Sequence, residues 1–268
     1  MGRLAPTPNA VDTAPVTYLL IHGGGATGRF WDRLLPHLDR PALAVDLPGR
    51  NGKPGDLATL SVEDEVASVV ADVQAAGRTG PIVVVAHSSG GLVVPGVVAG
   101  LNGTEGGVPR VRHVVLNAAL VPPDGGCGLD CMKPHHREGL EAALAATERD
   151  GGVITLPGPP ADPEPFRLSY GGDPLDDETL AYVVDPVRCV EDTVHHYLQP
   201  VSWAAVTGIP VTYILNERDR PIPPATQHTM AERLPPPSRV VEVASGHLFP
   251  VTAPIACAAL LAGIAAST

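Results

Sequence analysis

Ser88 sits in the run Ala86-His87-Ser88-Ser89-Gly90-Gly91, directly after the apolar stretch 82–85 and ahead of a second apolar stretch that begins at Leu92. A serine on a tight strand-to-helix turn holds its hydroxyl above a sheet, and only small neighbours such as Gly90 and Gly91 let that turn close. A hydroxyl so held becomes a nucleophile when a base takes its proton and an acid orients the base. Of the 10 histidines, only His247, in Ser245-Gly246-His247-Leu248, falls in a loop after a late apolar run. For the acid, Asn216-Glu217-Arg218-Asp219-Arg220-Pro221 offers two carboxylates, and Asp219 is favoured over Glu217 at what reads as the carboxyl end of a strand. Each of these alone has a plain reading: a Ser-Gly loop, a packing histidine, a solvated charged loop. Their joint placement at strand ends points to nucleophilic catalysis by Ser88, His247 and Asp219.

Such residues need a rigid frame. The apolar runs 16–21, 42–45, 82–85, 111–116, 211–215 and 239–243 are continuous rather than alternating, the pattern of parallel strands covered on both faces. Helical segments separate them. The clearest sets Val62, Val66, Val69, Val70 and Val73 on one face, after Ser61 as N-cap with Asp64 three residues on. The expected fold is α/β, a doubly wound and mostly parallel sheet. Residues 121–203 break the rhythm, being rich in Gly and Pro with short helical stretches at 138–149 and 176–184. A structureless loop of that length does not fit a compact domain, so 121–203 is expected as an inserted lid subdomain between core segments 1–120 and 204–268. Within it, the Pro-rich patch 156–165 reads as a linker.

Composition narrows the partners. A formal net charge of -11, without a basic run, argues against nucleic acid and anionic membranes, which leaves a small-molecule substrate. The N-terminal stretch has no charged region followed by an apolar one, no run is long enough to span a bilayer, and a cytoplasmic protein is expected. Four scattered cysteines are expected to be reduced. Cys127, Cys131, His135 and His136 are metal-ligand types at close spacing, yet their pattern is not a standard zinc one, and independent thiols and surface histidines are the better reading. His195-His196 reads as a solvated helix face. No metal and no organic cofactor is expected. With aromatic residues at 4% and a lid of mostly aliphatic and small residues, the pocket is expected to be apolar.

The nucleophile turn, Val45-Asp46-Leu47-Pro48-Gly49-Arg50, and the acid loop 216–223 together resemble the α/β-hydrolase family over nearly the whole chain outside 121–203. Asn117-Ala118-Ala119-Leu120-Val121-Pro122 is most similar to the branch of small-molecule methyl esterases and hydroxynitrile lyases. The resemblance implies the order Ser88, Asp219, His247 for the triad. It also implies an oxyanion hole built from the backbone N–H groups of Gly24, in Ile21-His22-Gly23-Gly24-Gly25, and of Ser89. Gly23, His87, Phe30, Trp31 and Leu248 are the candidate substrate contacts, with packing of the segment after the oxyanion loop onto the sheet the alternative for Phe30 and Trp31. There are departures: Ala86 replaces a glycine, Pro95 lies in the expected nucleophile helix and should kink it or shift its start, and Asn117 stands where relatives often carry Asp. In the lyase branch a Thr follows the first oxyanion-loop His and a Lys follows the catalytic His; here Gly23 and Leu248 hold those positions, which favours an esterase. The expected activity is therefore hydrolysis of a small or medium neutral ester or lactone. A non-hydrolytic lyase or cyclase, and a receptor-like hydrolase with vestigial turnover, are the alternatives.

Overall fold

The computed structural model describes residues 15–103, 110–150, 153–170 and 172–267. Residues 1–14, on which most of the N-terminal reading falls, lie outside them. The apolar runs become β1 (Thr17–Ile21), β2 (Ala42–Val45), β3 (Ile82–His87), β4 (Val111–Asn117), β7 (Val211–Asn216) and β8 (Ser238–Val243). They form one sheet in the order β2-β1-β3-β4-β7-β8, and every pairing in it is parallel. Because side chains alternate across a strand, two separate cores result. On one face Leu19, Val84, Val114 and Leu215 pack with helices α1 (Val62–Ala75) and α2 (Val94–Asn102). On the other, Leu20, Val83, Val115 and Ile214 pack with Trp31, Leu34 and the C-terminal helix α8 (Pro254–Ala265). Burial on both faces is why these strands read as unbroken apolar runs. The edge strand β8 is the exception, being largely exposed.

Local chemistry accounts for the helix starts. Ser61 Oγ accepts from Asp64 N at 3.1 Å while Asp64 Oδ2 accepts from Ser61 N at 3.0 Å, the reciprocal cap expected of α1. Pro95 shifts the start of the helix after Ser88 as foreseen: Ser88–Leu92 is a 3-10 turn, and α2 proper starts at Val94 with Pro95 in its first turn, where a missing N–H costs nothing.

The segment between β4 and β7 carries α3 (Pro134–Arg149), β5 (Thr155–Leu156), α4 (Glu164–Tyr170), α5 (Asp177–Val184) and β6 (Asp192–Thr193), with β5 and β6 paired antiparallel. The patch 156–165 is more than a linker, for it runs from β5 into the first turn of α4. After β7 come α6 (Pro224–Glu232), then β8, the short α7 (Phe249–Thr252) and α8. No helix among the described residues is long and apolar enough to cross a membrane.

Candidate active site

All four chemical groups singled out in the sequence emerge at the carboxyl edge of the parallel sheet, where loops are free to carry function. The loop His22–Gly25 follows β1, Ser88 follows β3, Asp219 follows β7 and His247 follows β8. Ser88 adopts φ of 53°, a left-handed conformation that costs a non-glycine residue about 1 kcal/mol or more. The turn survives because its surroundings fix it: Leu120 N donates to Ser88 O at 2.8 Å. Its glycines are obligatory, since a Cβ on Gly90 would lie 2.5 Å from His22 O and one on Gly91 2.4 Å from Leu120 O.

His247 Nδ1 donates to Asp219 Oδ2 at 2.7 Å, and both residues are buried. The other carboxylate oxygen, Oδ1, accepts from Ile222 N at 2.8 Å, which locks the acid in place. With its proton on Nδ1, the His247 imidazole presents an unprotonated Nε2 on its far side. Glu217, the competing acid, is exposed. Ser88 and His247 line one cavity of about 440 Å³, a size suited to a small molecule.

The loop after β1 is held from beneath. His22 is fully buried, donates from Nδ1 to Gly23 O at 2.8 Å and accepts at Nε2 from Leu47 N at 3.2 Å. Burial, helped by the Arg50 guanidinium, lowers its pKa to about 4, so it stays neutral. Gly24 and Ser89 are brought together: a Cβ on Gly24 would stand 3.2 Å from Ser89 Oγ and 2.6 Å from Tyr197 Oη. Gly23 is equally confined, since its Cβ would meet Ser88 Cβ at 2.8 Å and His87 Nδ1 at 3.1 Å.

Among the candidate contacts, Gly23, His87, Phe30 and Leu248 line the cavity. Trp31 does not; it is fully buried behind Phe30, edge to face at 5.1 Å, and belongs to the core. His87 Nε2 donates to the His247 carbonyl at 2.9 Å, and its ring stacks on Phe30 at 4.7 Å. Burial first, then the nearby His247, pushes its pKa well below the ordinary value. Asn117 does not line the cavity: its Nδ2 donates to Asn216 Oδ1 at 3.0 Å and joins the ends of β4 and β7.

Two further readings need correction. The insertion was expected to offer aliphatic and small side chains, but its aromatic residues gather at the cavity, where Phe166, Tyr170, Tyr182 and Tyr197 line the wall. Phe166 and Tyr170 stack at 4.1 Å, and Tyr170 stands 5.6 Å from the His247 ring. Their low count in the sequence hid this concentration. Burial, with the Asp219 charge, raises the Tyr170 pKa to about 12, leaving a neutral hydroxyl. The second correction is His196, which is no solvated face: it is buried with Nδ1 3.2 Å from Glu65 Oε1. Helical spacing sets Glu65 in line with Val69 and Val73 on the buried side of α1, but nothing in the sequence signalled that His196 would be its partner.

Elsewhere in the insertion, Cys131 is buried beside Arg233, and the His135 and His136 rings meet edge to face at 4.2 Å. All four cysteines are free thiols. Among the described residues no group of three or more His, Cys, Asp or Glu is placed to hold a metal ion.

Residues 18–260 match the Alpha/beta hydrolase family. Lipase LipV of Mycobacterium tuberculosis is 37% identical over 124 residues, covering 42% of this chain and 46% of that lipase, so the match spans about half of its length. Probable hydrolase R7 of a Phoma species is 28% identical over 218 residues, covering 78% of this chain and 80% of that one. Among solved structures, the chain is similar to an extracellular alpha/beta-hydrolase from a Paenibacillus species, described as sharing structural and functional homology with tobacco salicylic acid binding protein 2. The TM-score is 0.73 at 20% identity, over 93% of this chain and 98% of that one, a likeness of fold.

Proposed function

Because the chain belongs to the alpha/beta hydrolase family, we propose that it is a serine hydrolase that cleaves a small or medium neutral carboxylic ester or lactone through an acyl-enzyme on Ser88. His247 Nε2 takes the Ser88 proton as Oγ attacks the carbonyl carbon, and Asp219 stabilises the imidazolium that forms. The tetrahedral oxyanion is held by the N–H groups of Gly24 and Ser89. Collapse expels the alcohol, which receives the proton from His247; water then repeats the attack, releasing the acid and restoring Ser88. Residues 121–203 act as the lid, supplying the aromatic wall that excludes water from the acyl group.

One geometry carries this reading. The 2.7 Å contact between His247 and Asp219 stands on the wall of the cavity that Ser88 also lines, with Ser88 raised on a left-handed turn. Gly23 supports a hydrolase over a lyase, because the position that carries Thr in the lyase branch has no room here for any Cβ. The test is turnover of p-nitrophenyl acetate and butyrate by the wild type and by Ser88→Ala, with a fluorophosphonate probe applied to both. We expect kcat to fall by about 10⁴ or more in the variant, with loss of labelling. Labelling that survives in Ser88→Ala refutes the assignment of the nucleophile.

A further inference from the structure

Beneath the loop after β1 lies a set of buried charges that the proposed chemistry does not use. Asp192, at the end of the insertion, accepts from Gly25 N at Oδ2 (2.7 Å), while its Oδ1 accepts from Thr193 N at 2.7 Å and pairs with Arg50 Nη2. Arg50 Nη1 reaches Glu65 Oε1 at 3.3 Å and donates to Pro48 O at 2.9 Å. His196 Nδ1 lies against the same Glu65 oxygen. The Arg50, Glu65 and Asp192 side chains are wholly inaccessible to water, which makes this an expensive arrangement whose members are destabilising if left alone.

Its position relative to Gly24 gives it a use. In a trans peptide the C=O and N–H point in opposite directions. His22 takes the Gly23 carbonyl toward the core, so the Gly24 N–H of the same peptide unit points away from His22. The next unit is pinned at its Gly25 N–H by Asp192. In the loop leading to Asp192, Val190 N donates to Gly25 O at 2.8 Å and Val187 O accepts from Thr27 Oγ1 at 2.7 Å. The two peptide units flanking the Gly24 α-carbon are thus fixed from opposite sides, one by the core and one by the insertion.

We infer that Asp192, clamped by the buried Arg50–Glu65 pair, is a positioning residue that aims the Gly24 N–H at the developing oxyanion, so that the insertion takes part in transition-state binding as well as in covering the cavity. The inference rests on the hydrolase reading above. Preorganised donors matter in the transition state more than in the ground state. Asp192→Asn keeps the shape but gives up the ion pair with Arg50. It should lower kcat for p-nitrophenyl butyrate about 10- to 100-fold with KM within about threefold, short of the ~10²–10³ that loss of a whole oxyanion donor costs. A trifluoromethyl ketone, which binds as the tetrahedral adduct, should lose affinity by a similar factor, while butyrate, a ground-state ligand, should not. A folded Asp192→Asn that keeps kcat and ketone affinity within threefold overturns the inference. If that variant does not fold, Arg50→Lys serves in its place: it leaves a cation near Asp192 without the fork that joins it to Glu65. The same split at smaller size is expected of it, and full kcat in Arg50→Lys overturns the inference equally. A wild type without turnover or labelling sinks instead the reading on which the inference rests.

Discussion

Asp219 does two things with its two oxygens. One accepts the His247 Nδ1 proton and the other anchors on Ile222 N, so the imidazole is held in a single tautomer by an acid that itself cannot swing. An amide in its place presents either an oxygen or an NH₂ to Nδ1, and only the carboxylate stabilises the imidazolium. Asp219→Asn should therefore lower kcat by about 10⁴ with the fold intact. Glu217→Gln, at the exposed rival position, should leave kcat within about twofold. Steady-state kinetics on both variants checks the choice between the two carboxylates, and a large loss in Glu217→Gln would reverse it.

At the scale of elements, α2, which follows the Ser88 turn, packs closely on α1. Gly96 and Gly100 are one helical turn apart, and a Cβ on them would lie 2.5 Å and 2.8 Å from the Cγ2 atoms of Val66 and Val70. β-Branched side chains have little freedom to withdraw. Gly96→Leu should overpack this contact and cost about 1–3 kcal/mol, despite the better helix propensity of leucine. Urea denaturation should show a lower midpoint with an unchanged slope; an unchanged midpoint would mean that the two helices separate freely.

For the whole molecule, burial of neutral histidines sets the response to acid. His22, with its pKa lowered to about 4, and His87, also held well below its ordinary value, refuse protons that the unfolded chain accepts near pH 6.5. Between pH 6.5 and 4 the unfolded state binds more protons, so stability falls as pH falls through that window, by up to about 1.4 kcal/mol per pH unit for each such group. Asp173 and Glu65, whose carboxyls hydrogen bonds and neighbouring cations hold below their ordinary values against the upward pull of burial, withdraw their contribution only at lower pH. Relief of self-repulsion in a chain of net charge -11 opposes the trend, and we expect the histidines to outweigh it. Urea midpoints measured from pH 7.5 to 5 should decline below about 6.5; a flat or rising profile would contradict this balance.

What the sequence by itself determined is local in origin. A parallel strand buried on both faces must be apolar throughout, a serine turn must be flanked by small residues, and groups at strand ends must follow apolar runs; hence the sheet was legible, and so was the placement of Ser88, Asp219 and His247 in the loops after β3, β7 and β8. So were the start of α1 and the displaced start of α2, because capping and the missing proline N–H act within a few residues. The tertiary structure alone decided what distant segments do to one another. Arg50, Glu65, Asp192 and His196 come from a turn, a helix and the end of the insertion, and no spacing encodes their meeting. The gathering of Phe166, Tyr170, Tyr182 and Tyr197 around the cavity, and the retreat of Trp31 into the core, likewise depend on how the insertion folds back over the sheet. Long-range packing fixes such contacts by shape and by burial of charge against charge, and neither quantity is a property of a residue's immediate neighbours in the chain.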